Sequence, residues 1–91
     1  MNEGIPYSIT IKKDVIKSIG RLPPKQQERV AQILRSLPLV PRPAGCLLLK
    51  GYRNTWRVRL GGIRIIYEIG DEARSIDIVR VDQRDKAYQG L

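Results

Sequence analysis

The chain contains no histidine and a single cysteine, Cys46. Without histidine the usual general base of neutral-pH catalysis is missing, and so are the common zinc-ligand patterns. One cysteine gives no intramolecular disulfide framework. With no histidine to pair with it, the Cys46 thiol reads as a small buried group beside a strand rather than a nucleophile. Acidic residues are scarce as well, nine aspartates and glutamates in all and in no metal-binding arrangement, so no metal or cofactor is expected. No apolar run approaches the roughly 20 residues that span a bilayer, and the opening MNEGIPYSI lacks the basic start and apolar segment of a signal peptide. A cytoplasmic location away from membranes is the simplest expectation.

What is abundant is positive charge. Seventeen lysines and arginines against nine carboxylates give a formal charge of +8. That excess points to a polyanionic partner, either nucleic acid or an acidic protein segment, and charge alone does not choose between them. A length of 91 residues fits one compact domain over 1–91 with a small core. The apolar fraction of 42% is ordinary for a globular protein and argues against disorder throughout.

Hydrophobic spacing predicts an α+β fold. Tyr7 to Ile11 reads as a first strand. Val15, Ile19 and Leu22 then fall on one face of a short helix over 12–20, closed off by Gly20 and Pro23. Pro24 suits the first turn of a second helix, whose Val30, Ile33, Leu34 and Leu37 repeat at helical spacing. After the proline-rich loop LVPRPAG, CLLLK is a short candidate strand and GYRN a turn. In Thr55 to Leu60 the residues Trp56, Val58 and Leu60 alternate with Arg57 and Arg59. Gly61-Gly62 marks a tight hairpin into a strand over 63–69, with Ile63, Ile65, Tyr67 and Ile69 on one face and Arg64, Ile66 and Glu68 on the other. SIDIVRVD is the last strand. Two helices in the N-terminal half would thus cover one face of a mainly antiparallel sheet of four to five strands.

The segment WRVRLGGIRIIY sets three arginines among apolar neighbours. If Trp56, Val58 and Leu60 face the helices, Arg57 and Arg59 face away, and Arg64 reaches the same surface across the hairpin. Guanidinium groups bind phosphate oxygens with defined geometry. A phosphate or RNA site, a groove for an acidic protein and an unspecialised solvated face all fit this pattern. Trp56 reads as a core anchor and Gly61-Gly62 as turn residues, not a phosphate loop.

Taken in order, "RPAGCLLLKG", "WRVRLGGIRIIYEI", "VDQR" and the terminal "AY" resemble the RelE branch of the RelE/ParE toxin superfamily, over nearly the whole chain. The resemblance implies a small α+β endoribonuclease that enters the ribosomal A site and cuts messenger RNA. It implies that Arg57 and Arg59 contact the phosphate and help activate the 2′-hydroxyl, and that Arg64 stabilises developing phosphate charge. Arg84 would aid the transition state or departure of the 5′-oxygen, and Tyr88 would stack on or orient a base. The implied partners are a RelB-like antitoxin, the ribosome and its A-site message, with operator DNA reached only through the antitoxin.

Such cleavage needs no metal, because RNA carries its own nucleophile and the protein has only to align it and stabilise charge. Arginine keeps its proton at neutral pH, so the basic pair would act electrostatically rather than as an ordinary base. Relatives often carry histidine where this chain has Gln83. Alternatives within the superfamily are a ParE-like inhibitor of DNA gyrase, or an inactive homologue retained to bind antitoxin.

Overall fold

The computed structural model describes residues 5–83. In chain order these form β1 (Ser8–Ile11), α1 (Lys13–Gly20), α2 (Pro24–Ser36), β2 (Leu47–Leu48), β3 (Thr55–Leu60), β4 (Ile63–Gly70) and β5 (Ser75–Gln83). The strands make one sheet in the order β1-β5-β4-β3-β2. Every neighbouring pair is antiparallel except β1 with β5, which run parallel in the register Ser8↔Ser75 to Ile11↔Ile78.

Both helices pack on one face of this sheet. Val15 of α1, Leu22, Val30 of α2 and Leu37 bury against Val58, Ile63, Ile65, Tyr67, Ile69, Ile76, Ile78 and Val81. The amphipathic stripes read from the spacing are the ones that close the core, because burial of that face is what holds short helices in place. Pro24 occupies the start of α2, where its missing amide hydrogen costs no helical hydrogen bond. Trp56 and Leu60 pack at the margin of the same cluster, as does Cys46. Among the described residues, no helix is long and apolar enough to cross a membrane.

Two elements depart from simple patterning. The strand expected over CLLLK shrinks to Leu47 and Leu48, which pair with Arg57 and Trp56. Gly45 at φ 88° and Gly51 at φ 84° turn the chain on either side of it, in a backbone region that favours glycine. The second departure is a bulge between β4 and β5: Ile66 faces Arg80 but Tyr67 faces Ile78, leaving Val79 as an extra residue. A bulge shifts the side-chain phase of a strand by one. Strict alternation from Ile76 and Ile78 would send Arg80 into the core and Val81 to the other side. The observed order is the reverse, with Val81 buried in the core cluster and Arg80 sharing a face with Ile66.

Candidate nucleic-acid interface

The sheet face turned away from the helices carries the arginines. Gly61, at φ 59°, shapes the tight turn between β3 and β4, and the strands leave it in the register Leu60↔Ile63, Arg59↔Arg64, Val58↔Ile65, Arg57↔Ile66. Partners directly opposite in an antiparallel pair share a face, so the register alone sets out cross-strand rows. Arg59, Arg64 and Asp82 form the row nearest the hairpin. Arg57, Ile66 and Arg80 form the next, and Thr55, Glu68 and Asp77 the one beyond. Successive rows on this face lie two residues apart, roughly 7 Å. Within a row, neighbouring Cβ atoms are separated by about 4.5–5.5 Å.

Arg57, Arg59 and Arg64 are therefore gathered together, as their spacing predicts. Arg59 is exposed, whereas Arg57, Arg64 and Arg80 are half-buried. Ile66, in the middle of the group, is 0% exposed although it lies outside the core cluster beneath the helices. Its cross-strand neighbours are Arg57 and Arg80, whose stems are long enough to cover apolar surface, and the Nε of Arg57 is itself buried. The middle of this face is thus a fully buried isoleucine flanked by arginines. Charge changes sign along the strands. The rows containing arginine give way to Glu68 and Asp77, which face each other at the far end.

Arg84 and Tyr88, the other expected site residues, lie outside the described residues. Gln83 ends β5, is exposed, and donates its backbone N–H to Asp82 Oδ1 at 2.8 Å. Sequence spacing overlooked Arg80, because the bulge that brings it to this face has no mark in the residue pattern. Asp82 beside Arg64 was also overlooked.

A second polar cluster sits at the other end of the sheet. Asp71 accepts Arg42 Nη1 at 3.2 Å and Nη2 at 2.8 Å, and also Tyr7 Oη at 2.8 Å. These bonds hold the Asp71 carboxyl below its ordinary range, with Arg42 as the largest cause, and raise both Arg42 and Tyr7. The Arg42 guanidinium lies 4.8 Å from the centroid of the Trp56 ring. Tyr67 donates its hydroxyl to Pro41 O at 2.8 Å, and burial, with the Cys46 thiol nearby, raises its pKa well above the ordinary tyrosine value. Together these contacts pin the loop over 38–46 to the sheet. Trp56 thus serves as a packing surface on the helix side, away from the arginine rows. A hollow of about 260 Å³ between α1 and the end of β5 is lined by Ser18, Arg21, Leu22, Asp82 and Gln83. Among the described residues there is no group of three or more histidine, cysteine, aspartate or glutamate side chains placed to hold a metal.

Comparison with known proteins sets this arrangement in context. The family described as ParE toxin of type II toxin-antitoxin system, parDE, matches residues 9–88. Toxin RelG of Mycobacterium tuberculosis is 28% identical over 86 residues, spanning 93% of this chain and 99% of that protein. The fold superposes on a chain of the archaeal RelE–RelB complex of Pyrococcus horikoshii with a TM-score of 0.79 at 28% identity, covering 90% of this chain and 99% of that one. A chain of the RelBE2 toxin–antitoxin complex of Mycobacterium tuberculosis gives a TM-score of 0.74 at 28% identity, covering 88% and 100%.

Proposed function

This chain belongs to the ParE toxin family of type II toxin–antitoxin systems, and from its likeness to RelG and to RelE chains and its arginine face we propose that it is a ribosome-dependent endoribonuclease that cuts messenger RNA in the A site. The observation that carries the reading is the gathering of Arg57, Arg59 and Arg64 on one sheet face by the register of a single hairpin. RNA supplies the 2′-hydroxyl nucleophile. In-line attack on the adjacent phosphorus breaks the bond to the 5′-oxygen, leaving a 2′,3′-cyclic phosphate and a new 5′-hydroxyl. Arg57 and Arg59 hold the phosphate and polarise the 2′-hydroxyl, while Arg64 stabilises the equatorial oxygens as negative charge grows. Arg84 is assigned to the departing 5′-oxygen and Tyr88 to orienting a base. DNA, lacking the 2′-hydroxyl, does not react by this route.

The partner of the resting protein is a RelB-like antitoxin, in keeping with the RelE–RelB complexes whose chains share this fold. Its acidic or amphipathic segment would cover the basic face, with charge guiding encounter and apolar burial holding the complex. Operator DNA is reached through the antitoxin.

Purified protein added to ribosomes carrying a defined A-site codon, with message ends mapped by primer extension, tests the assignment. Cuts that depend on the ribosome and disappear in folded Arg64→Ala support it. The description of the matching family as ParE favours one other reading, inhibition of DNA gyrase. Absence of cutting across several codons, together with loss of supercoiling activity in a gyrase assay, would replace the ribonuclease by that alternative.

A further inference from the structure

Arg80 reaches the arginine face only because β5 carries an extra residue at Val79. A bulge interrupts ladder hydrogen bonding, and such interruptions commonly re-aim a side chain. Here the re-aimed side chain is a fourth arginine, set directly across Ile66 from Arg57. Two inter-strand spacings separate the backbones of β3 and β5 at this row, roughly 9.6 Å. Two long side chains rising from positions that far apart can reach a common anion above the isoleucine between them.

The row of Arg57 and Arg80 lies roughly 7 Å along the strands from that of Arg59 and Arg64. This interval is comparable to the spacing of successive phosphates in an extended nucleic-acid strand. One row further on stand Glu68 and Asp77, which would repel a third phosphate. We propose that Arg80 grips the backbone phosphate adjoining the one that reacts, with Arg57 standing between the two, so that this face holds two successive phosphates of a single RNA strand and turns the chain away beyond them.

The proposal rests on the ribonuclease reading for its cleavage consequence, and on the bulge and register for the binding itself. Arg80 is a binding residue by this account, acting on the neighbouring phosphate and leaving the reacting centre to the hairpin arginines. Two arms of one experiment separate the claims. In the first, binding of a short 2′-deoxy-substituted oligouridylate, which cannot be cut, is measured over a salt series for wild type, Arg80→Ala and Arg80→Lys. Loss of one phosphate contact lowers the slope of log affinity against log salt by about 0.7 for a single strand. Arg80→Ala should show that loss, and Arg80→Lys should retain the slope with weaker affinity, since lysine keeps the charge without the fork.

In the second arm, cleavage on programmed ribosomes is followed against toxin concentration. Arg80→Ala should raise the concentration for half-maximal rate about 10-fold and leave the saturated rate within about 3-fold, as expected when binding rather than transition-state contact is removed. Arg64→Ala should lower the saturated rate instead. Equal salt slopes for folded wild type and Arg80→Ala, or no salt-dependent binding by wild type, would overturn the phosphate grip. If wild type binds with the predicted slope difference but cuts nothing, the grip stands and the ribonuclease reading fails. Should Arg80→Ala fold poorly, Arg80→Gln, which keeps much of the stem over Ile66, takes its place in both arms.

Discussion

Arg59 and Arg64 stand directly opposite one another across the β3–β4 hairpin. Like charges in that relationship destabilise a sheet, by roughly 0.2–1 kcal/mol. A fold selected for stability alone would not set them there, whereas a phosphate between them turns repulsion into attraction. We predict that Arg59→Thr raises the melting temperature by about 2–4 °C, from roughly 0.5 kcal/mol at 4–8 °C per kcal/mol for a domain of this size. The same variant should lose cleavage activity by about 10-fold or more. Calorimetry and message-end mapping on one preparation check both, and a destabilised variant with full activity would refute the trade-off.

Ile66 should behave as a core residue despite lying on the arginine face. Its complete burial leads us to expect Ile66→Ala to cost about 2–4 kcal/mol and Ile66→Val about 1 kcal/mol. The exposed Ile16 offers the contrast, since Ile16→Ala should stay within about 0.5 kcal/mol of wild type. Urea denaturation of the three variants decides the matter. An Ile66→Ala protein as stable as Ile16→Ala would show that Ile66 adds nothing to the packing of the sheet.

Acid should loosen the contact between Asp71 and Arg42 at the far end of the sheet. The Asp71 carboxyl is held down in the folded protein by Arg42 and then Tyr7, so its stabilisation is present above its unfolded value near 3.9 and disappears as pH falls through the lower folded value. Because the pair is solvent-exposed, the contribution expected is small, about 1 kcal/mol at most. Asp71→Asn should therefore melt slightly below wild type at pH 6, with the gap narrowing below about pH 4. A gap that persists or widens in acid would assign the effect to something other than the carboxylate.

Asp82 faces Arg64 in the row nearest the hairpin and competes with phosphate for positive charge there. Asp82→Asn keeps an oxygen to accept the Gln83 N–H while removing the charge. We predict a 2–5-fold gain in affinity for a short RNA at low salt, the equivalent of about 0.4–1 kcal/mol and in the range of an exposed ion pair. Unchanged affinity in a filter-binding titration would place the Asp82 carboxylate out of reach of the bound phosphate.

The residues of the hairpin were legible because several local signals agree on it. Alternating arginines and apolar residues, a glycine pair and a second alternating run define one register, and that register places Arg57, Arg59 and Arg64 together. Both helices were legible for a similar reason, their stripes meeting the sheet at Val15, Val30 and Leu37. The phase of β5 was not. IDIVRV contains enough apolar residues to satisfy either face, and the choice is made by where Val81 packs, a tertiary matter. Equally hidden was the pairing of Arg42 with Trp56 and Asp71, which joins segments well separated along the chain. The burial of Ile66 likewise depends on what neighbouring strands lay over it, not on its own place in the alternation.

The parallel pairing of β1 with β5 has a bearing on the protein's own birth. Residues 8–11 take their place in the sheet beside residues 75–78, so the first of the described strands must wait for the last of them. Chains fold from the N-terminus as they are synthesised, and pairings of high sequence separation come late. Arg80 joins the basic face only when β5 docks on β4, and β1 completes the sheet only after that. A nascent chain therefore carries an incomplete arginine face until β5 has emerged and closed the sheet.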